Sequence, residues 1–310
     1  MSFQNNIKPY IAVVSAMIIW STSGIATKLA LQTFMPLTLV TLRFTVAALL
    51  MLIIGLCAPK SSPIHLQKVE LRHIPLFLLG GFFEPVIYYI CETYGMKLMD
   101  SPTVAEVFLC TGPLIAPLFA FIFIHEKVTW QNIVGIVIST GGVIMMLAIG
   151  SGDFSIGSPI GVVLCFAAVV GAVLYTIILS KFPLKYNNLT VVFYVQTSGL
   201  IFFYPLWLIM DVIPNGGSVF DMAAPGLVES LSMVVYLAAF STTLAFILYC
   251  YTIRQIGVTR ANAFNNIRPV FTAIIMLIVF GEQLPLVKWF AMLLVIVGLF
   301  ICQYTPKESA

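Results

Sequence analysis

Ten stretches of about 20 apolar residues, joined by short polar connections, decide what this chain can become. A helix rises about 1.5 Å per residue and the hydrocarbon layer of a bilayer is about 30 Å thick, so each stretch is long enough to cross it. They run over roughly 9–30, 36–57, 73–94, 102–124, 130–149, 157–180, 189–210, 227–251, 260–280 and 285–304. With 60% hydrophobic and 9% charged residues, the chain has too little polar surface to cover a water-soluble core. The longest connections, about 58–72 and 211–226, leave no room for a soluble domain. The opening MSFQNNIKPY leads into a run too long for a signal peptide and without a small-residue cleavage site, so it reads as a retained first span.

The net charge of +3 is too small to suggest a nucleic-acid partner; its distribution says more. With the N-terminus inside, the inner connections receive Lys8, Lys60, Lys68, Arg72, Lys127, Lys181, Lys185, Arg254, Arg260 and Lys307. The outer ones receive only Lys97 and Lys288, and are otherwise acidic (Asp100, Asp153, Asp211, Asp221, Glu282). That asymmetry predicts both termini in the cytoplasm. The six cysteines fall in apolar runs without a CxxC and read as packing residues, while His65, His73 and His125 have no metal-ligand spacing. No metal and no cofactor is expected.

The chain also resembles itself. A shift of 156 residues lays Ala105 on Ala261, Glu106 on Asn262, Pro113 on Pro269, Glu126 on Glu282 and Gly142 on Gly298. A shift of 153 lays Lys28 on Lys181 and Arg43 on Gln196. The expected fold is therefore an all-α membrane protein of ten transmembrane helices in two five-helix repeats, 1–150 and 151–310. Five is odd, so the second repeat sits inverted in the membrane, a transporter architecture with the substrate near the midplane.

The segments GPLIAPLFAFIFIHEKVT, RPVFTAIIMLIVFGEQLP and PLTLVTLRF resemble the EamA family of the drug/metabolite transporter superfamily over nearly the whole chain. The most specific likeness is Pro113 to Glu126 and Pro269 to Glu282, at the same place in each half. The resemblance implies ten helices, both termini inside, and a central cavity in an inner-membrane exporter or permease of amino acids, metabolites or drugs. It fixes no substrate. The chain departs from the family pattern at Glu106 and Arg268, where small or apolar residues are usual, and in the acid-rich FFEPVIYYICETYGMKL.

The candidate charged residues inside the runs are Lys28, Arg43, Glu84, Glu92, Glu106 and Arg268. A charge at a helix centre costs about 2.5–3.5 kcal/mol on insertion scales, so each needs a cavity or a partner. Arg268 lies about 3 Å from the middle of its run, too deep to snorkel easily. Two readings are open for it, a cavity-facing cation or a buried ion pair. Asn262, Asn265, Asn266 and Pro269 form a stripe beside it, and Pro269 is expected to open α geometry at Arg268. Glu84, Tyr88, Cys91 and Glu92 form a polar-aromatic stripe in the third run.

The candidate substrate-binding residues are Arg268, Asn262, Asn265, Asn266, Glu84, Tyr88, Glu106, Trp20 and Tyr175. Glu84, Glu106 and Glu92 are candidate proton carriers. Pro113, Pro269, Glu126, Glu282 and Arg43 are read as structural or gating, with Arg43 expected against a carboxylate or helix-end carbonyls. Arg, Asn and Glu together suit a zwitterion such as an amino acid, or another small polar metabolite. The implied partners are that substrate, the lipid bilayer and, for coupling, protons, in a monomer or weak homodimer. An intramembrane enzyme would need a motif such as HExxH or GxSxG, which the sequence lacks; a signalling or scaffold protein would normally add a soluble domain. No phosphate loop supports ATP-driven transport by this chain alone.

Overall fold

The computed structural model describes residues 7–98, 108–109, 111–148, 158–216, 226–280 and 285–303. Glu106 and Glu282 lie outside the described residues, as does the side chain of Lys28. The regular elements are helical throughout: α1 (Lys8–Ala30), α2 (Pro36–Cys57), α3 (Ile74–Gly81), α4 (Tyr88–Leu98), α5 (Gly112–Ile124), α6 (Trp130–Ala148), α7 (Pro159–Lys181), α8 (Asn188–Trp207), α9 (Leu227–Tyr236), α10 (Ala245–Ile256), α11 (Val258–Ala263), α12 (Arg268–Phe280) and α13 (Leu286–Gln303). Among the described residues, seven helical runs are long and apolar enough to cross a membrane, including Leu71–Gly95, Asn188–Val212 and Leu227–Ile256; Gly112–Ile124 and Trp130–Met145 are shorter apolar helices.

Prolines open several helices. Pro9, Pro36, Pro75 and Pro159 sit in the first turns of α1, α2, α3 and α7, where a missing N–H breaks no helical bond. Asn187 caps α8 by accepting from the Thr190 N–H. Pro113 and Pro269 each occupy the second position of their helix, α5 and α12.

Three apolar runs leave α geometry near their middles. Phe82–Ile87 winds into wider π-type turns around Glu84, whose φ of −145° and ψ of 115° are extended. Leu237–Leu244 is a second wide-turned stretch, between α9 and α10. Phe264–Ile267 tightens into a 3₁₀ turn before α12. The expected opening at Arg268 is thus corrected. Arg268 is helical (φ −55°, ψ −50°), because the break falls one turn earlier and Pro269 lands in the first turn of a new helix.

One buried core joins α1, α2 and α3 to α7, α8, α10 and α11 through residues such as Met17, Met51, Phe77, Tyr175, Val195, Phe246 and Ala261. The outside is apolar too, with Leu49, Phe121, Val163, Ile201, Ile278 and Phe300 exposed, as lipid contact requires. α6 and α13 touch backbone to backbone. A Cβ on Gly142 would lie 2.8 Å from the Ala291 carbonyl oxygen, so only glycine lets the two helices approach so closely there.

Candidate functional site

Polar side chains gather where the interrupted helices meet. The Arg268 guanidinium carbon lies 5.9 Å from the Trp20 ring centroid, within cation–π range. Ser21 fixes α12 to α1: its hydroxyl donates to the Arg268 carbonyl (3.0 Å), and its own carbonyl accepts from the Thr272 hydroxyl (3.4 Å). Trp20 is held in turn, its Nε1–H donating to the Ser241 carbonyl at 3.1 Å. Phe246 and Tyr249 stand edge-on to the indole, each 5.1 Å away between centroids.

Ser241 serves a second cation. Arg43 donates from Nη2 to the Ser241 hydroxyl (2.9 Å) and from Nε to the Thr242 hydroxyl (2.5 Å). Its guanidinium also lies 5.3 Å from the Tyr89 ring centroid. Arg43 is 6% exposed, and its hydrogen bonds run to hydroxyls rather than to the carboxylate or helix-end carbonyls expected from sequence. Gln196 donates to the Thr242 carbonyl at 3.0 Å, so both members of the pair matched by the 153-residue shift engage the same residue.

Glu84 is close enough to interact electrostatically with Arg268, Arg43 and Glu92. The Tyr88 hydroxyl donates to Glu92 Oε1 at 2.8 Å. The kink takes Glu84 out of regular helical geometry, yet its carboxyl stays close enough to both Tyr88 and Glu92 to interact with them electrostatically.

The three amides of the ninth run part company. Asn262 is buried and donates to the Thr176 hydroxyl on α7 (3.1 Å) and to the Val258 carbonyl (3.0 Å). Asn266 is buried and donates to the Ser139 and Thr140 hydroxyls on α6, at 2.8 and 2.9 Å. Asn265 alone turns to the aromatic cluster, donating to the Tyr249 hydroxyl at 3.2 Å. Tyr175 is buried with its ring 6.0 Å from Phe246, and its hydroxyl has no hydrogen-bond partner among the described residues.

Glu126 closes the start of the ninth run. Its carboxylate accepts from the Val258 and Thr259 N–H groups at 2.9 and 3.0 Å, capping α11 beside Gly257. At the start of the third run, exposed Glu70 bonds Lys185 and, at 2.6 Å, Arg72. Those two cations hold its carboxyl below the usual carboxylate value, Lys185 more strongly.

Sequence reasoning passed over Tyr89 and the roles of Ser241 and Tyr249. The polar triplet Ser241-Thr242-Thr243 in the middle of an apolar run was the available signal.

The profile of the EamA-like transporter family matches residues 7–148 and 159–303. The uncharacterized transporter YetK of Bacillus subtilis is 25% identical over 96% of this chain and 88% of its own length. The uncharacterized inner membrane transporter YedA of Escherichia coli is 23% identical over 99% of this chain and 96% of its own. A probable terminal-alkyne amino-acid exporter of Streptantibioticus cattleyicolor is 22% identical over 88% of this chain and 86% of its own. A solved crystal structure superposes with a TM-score of 0.74 at 19% identity, covering 95% of this chain and 96% of the other. The chain is a multi-pass membrane protein and belongs to the EamA-like transporter family.

Proposed function

We propose that the protein is a secondary transporter that moves a small polar organic metabolite, amino-acid-like in carrying both an acidic and a basic group, across the inner membrane by alternating access. The carrying observation is that the Arg268–Trp20–Ser241–Arg43 cluster draws on α1 and α2 from the first half and on α12 and the Leu237–Leu244 stretch from the second. A relative motion of the halves must therefore reshape it. In this reading Arg268 meets the substrate's anionic group and the Trp20, Phe246 and Tyr249 rings bound its apolar part. Glu84 meets the amine or carries a coupling proton, with Glu92 and Glu106 as further carriers. Two separate family matches, 7–148 and 159–303, support the assignment of two five-helix repeats. The inner-side excess of Lys and Arg supports an inverted arrangement with both termini cytoplasmic.

The test begins with thermal unfolding of the purified protein against amino acids, nucleosides and organic acids, because a ligand of the native state raises the melting temperature. A compound that stabilises is then loaded into reconstituted vesicles. Flux that requires the protein supports the reading; binding without flux under any imposed gradient overturns it. Glu84→Gln is expected to uncouple flux from a pH gradient, and unchanged coupling rejects Glu84 as the proton carrier.

A further inference from the structure

A cavity of about 230 Å³ lies between α2, α4 and α8, where α2 begins and the run Asn188–Val212 ends. It is distinct in its lining from the Trp20–Arg268 cluster. Its wall includes Val40, Tyr89, Tyr94, Phe203, Met210 and Asp211. Asp211 is 7% exposed. Its Oδ2 accepts both the N–H and the hydroxyl of Thr38, at 2.8 Å each, and Trp207 donates to that same hydroxyl at 2.9 Å.

A helix-capping role accounts for Oδ2, since Thr38 lies in the first turn of α2. It does not account for the rest. Oδ1 takes no hydrogen bond from the described residues. Asp211 as a whole is nearly buried, but Oδ1 is not closed off from solvent, so a cation in the cavity that Asp211 lines can reach a carboxylate oxygen that no described residue holds. The partner must fit a wall that is otherwise mostly apolar and aromatic. A protonated amine does: its N–H donates to Oδ1, its methylenes pack on Val40 and Met210, and the Tyr94 ring in the wall is an aromatic neighbour for a cation. Tyr89 already has the Arg43 guanidinium beside it and serves as wall. The space equals the liquid volume of about eight waters, enough for a short alkyl chain.

We propose that this cavity is a binding site for a small organic ammonium ion, with Asp211 as its counter-ion. The site stands whether or not the transport reading does. The test uses the purified full chain in detergent and follows thermal unfolding with n-butylammonium chloride, against butan-1-ol and against sodium chloride at equal ionic strength. The expected result is a saturable rise in melting temperature with butylammonium and no saturable rise with the other two. Asp211→Asn is expected to weaken the response about tenfold or more, the loss of one charged hydrogen bond. Thr38→Val, which removes part of the cap and keeps the carboxylate, is expected to retain it. Should Asp211→Asn fail to fold, Val40→Trp decides, since it fills the cavity beside an intact Asp211 and is expected to abolish the response. An equal rise with butanol, no rise with butylammonium, or a wild-type response in Asp211→Asn or Val40→Trp overturns the proposal. Arg268→Leu leaves the response unchanged, and a protein that binds butylammonium here but carries no substrate refutes transport alone.

Discussion

The third and ninth apolar runs each place a charged residue directly before a proline, and the two dipeptides adopt opposite conformations. Glu84 is extended (φ −145°, ψ 115°) ahead of Pro85, as the bulk of a proline ring asks of the residue before it. Arg268 is helical (φ −55°, ψ −50°) ahead of Pro269. The peptide bond into Pro85 is cis and that into Pro269 is trans, and the two runs also differ upstream. α3 runs as regular helix up to Gly81, so Pro85 arrives in a continuing helix and forces the kink at Glu84. Before Pro269 the chain has already left α geometry over Phe264–Ile267, held there by Asn262 on Thr176 and Asn266 on Ser139 and Thr140. The proline then starts a helix instead of breaking one. A proline in a membrane run locates a break to within about a turn, and the anchoring of the preceding turn decides which residue bears it. The result is an acid on a kink and a base on a fixed platform, since Ser21 grips the Arg268 carbonyl.

The largest effect is expected at that base. Arg268→Leu removes the cation beside Trp20, and flux in vesicles is predicted to fall by about 100-fold, the worth of one strong charged hydrogen bond, with membrane insertion intact. Normal flux there would remove Arg268 from the substrate's contacts and erase the contrast. The two prolines separate next. Pro85→Ala lets helix continue through Glu84 and swings its carboxylate away from the arginines, so flux should drop about tenfold, the effect of losing about 1.4 kcal/mol of interaction. Pro269→Ala sits in a first turn and should change stability by no more than about 1 kcal/mol with flux preserved. Equal losses in both variants would mean that the two sites work alike.

Seven membrane-length runs among the described residues were legible because they depend only on length and apolarity, and Pro113 and Pro269 each take the second position of their helix. Contacts across the bundle were not legible. Arg43 meets Ser241 and Thr242 at 198 and 199 residues' separation, and no local pattern encodes which hydroxyls lie opposite a guanidinium. The amide stripe misled for a different reason. Asn265 and Asn266 are sequence neighbours, which diverge by at least about 100° on any helix, so a stripe broad enough to hold both still sends Asn265 to α10 and Asn266 to α6. Asp211 escaped notice because an acid near a run's end reads as a loop residue until the start of α2 is packed against it.

The anchors give an intermediate effect. Asn266→Ala loses both hydroxyl contacts to α6 and should lower stability by about 1–2 kcal/mol, read as melting temperature, with little change in flux per folded protein. Asn265→Ala loses only its bond to Tyr249 and should do the reverse, sparing stability to within about 0.6 kcal/mol while weakening transport. If Asn266→Ala also halts flux in folded protein, the platform under Arg268 is itself part of the transport cycle.

The smallest effect lies where the two runs begin, each tied by a carboxylate. Glu126 caps α11 through two backbone N–H groups, a geometric contact; Glu70 is exposed and held by Lys185 and Arg72, a charge contact. The Glu70 contact should depend visibly on acid. The cations lower the Glu70 carboxyl below its ordinary value of 4.5, so the folded state binds its proton less readily than the unfolded one. Its stabilisation is complete above that ordinary value and is lost as the pH falls through the lowered one. Glu70→Gln should therefore melt slightly below wild type at neutral pH, and the two curves should converge in acid. High salt should shrink the neutral-pH gap, because exposed pairs are screened beyond about 8–10 Å and worth little to begin with. A gap that widens as the pH drops contradicts the assignment, because a depressed carboxyl can only lose stabilisation on protonation.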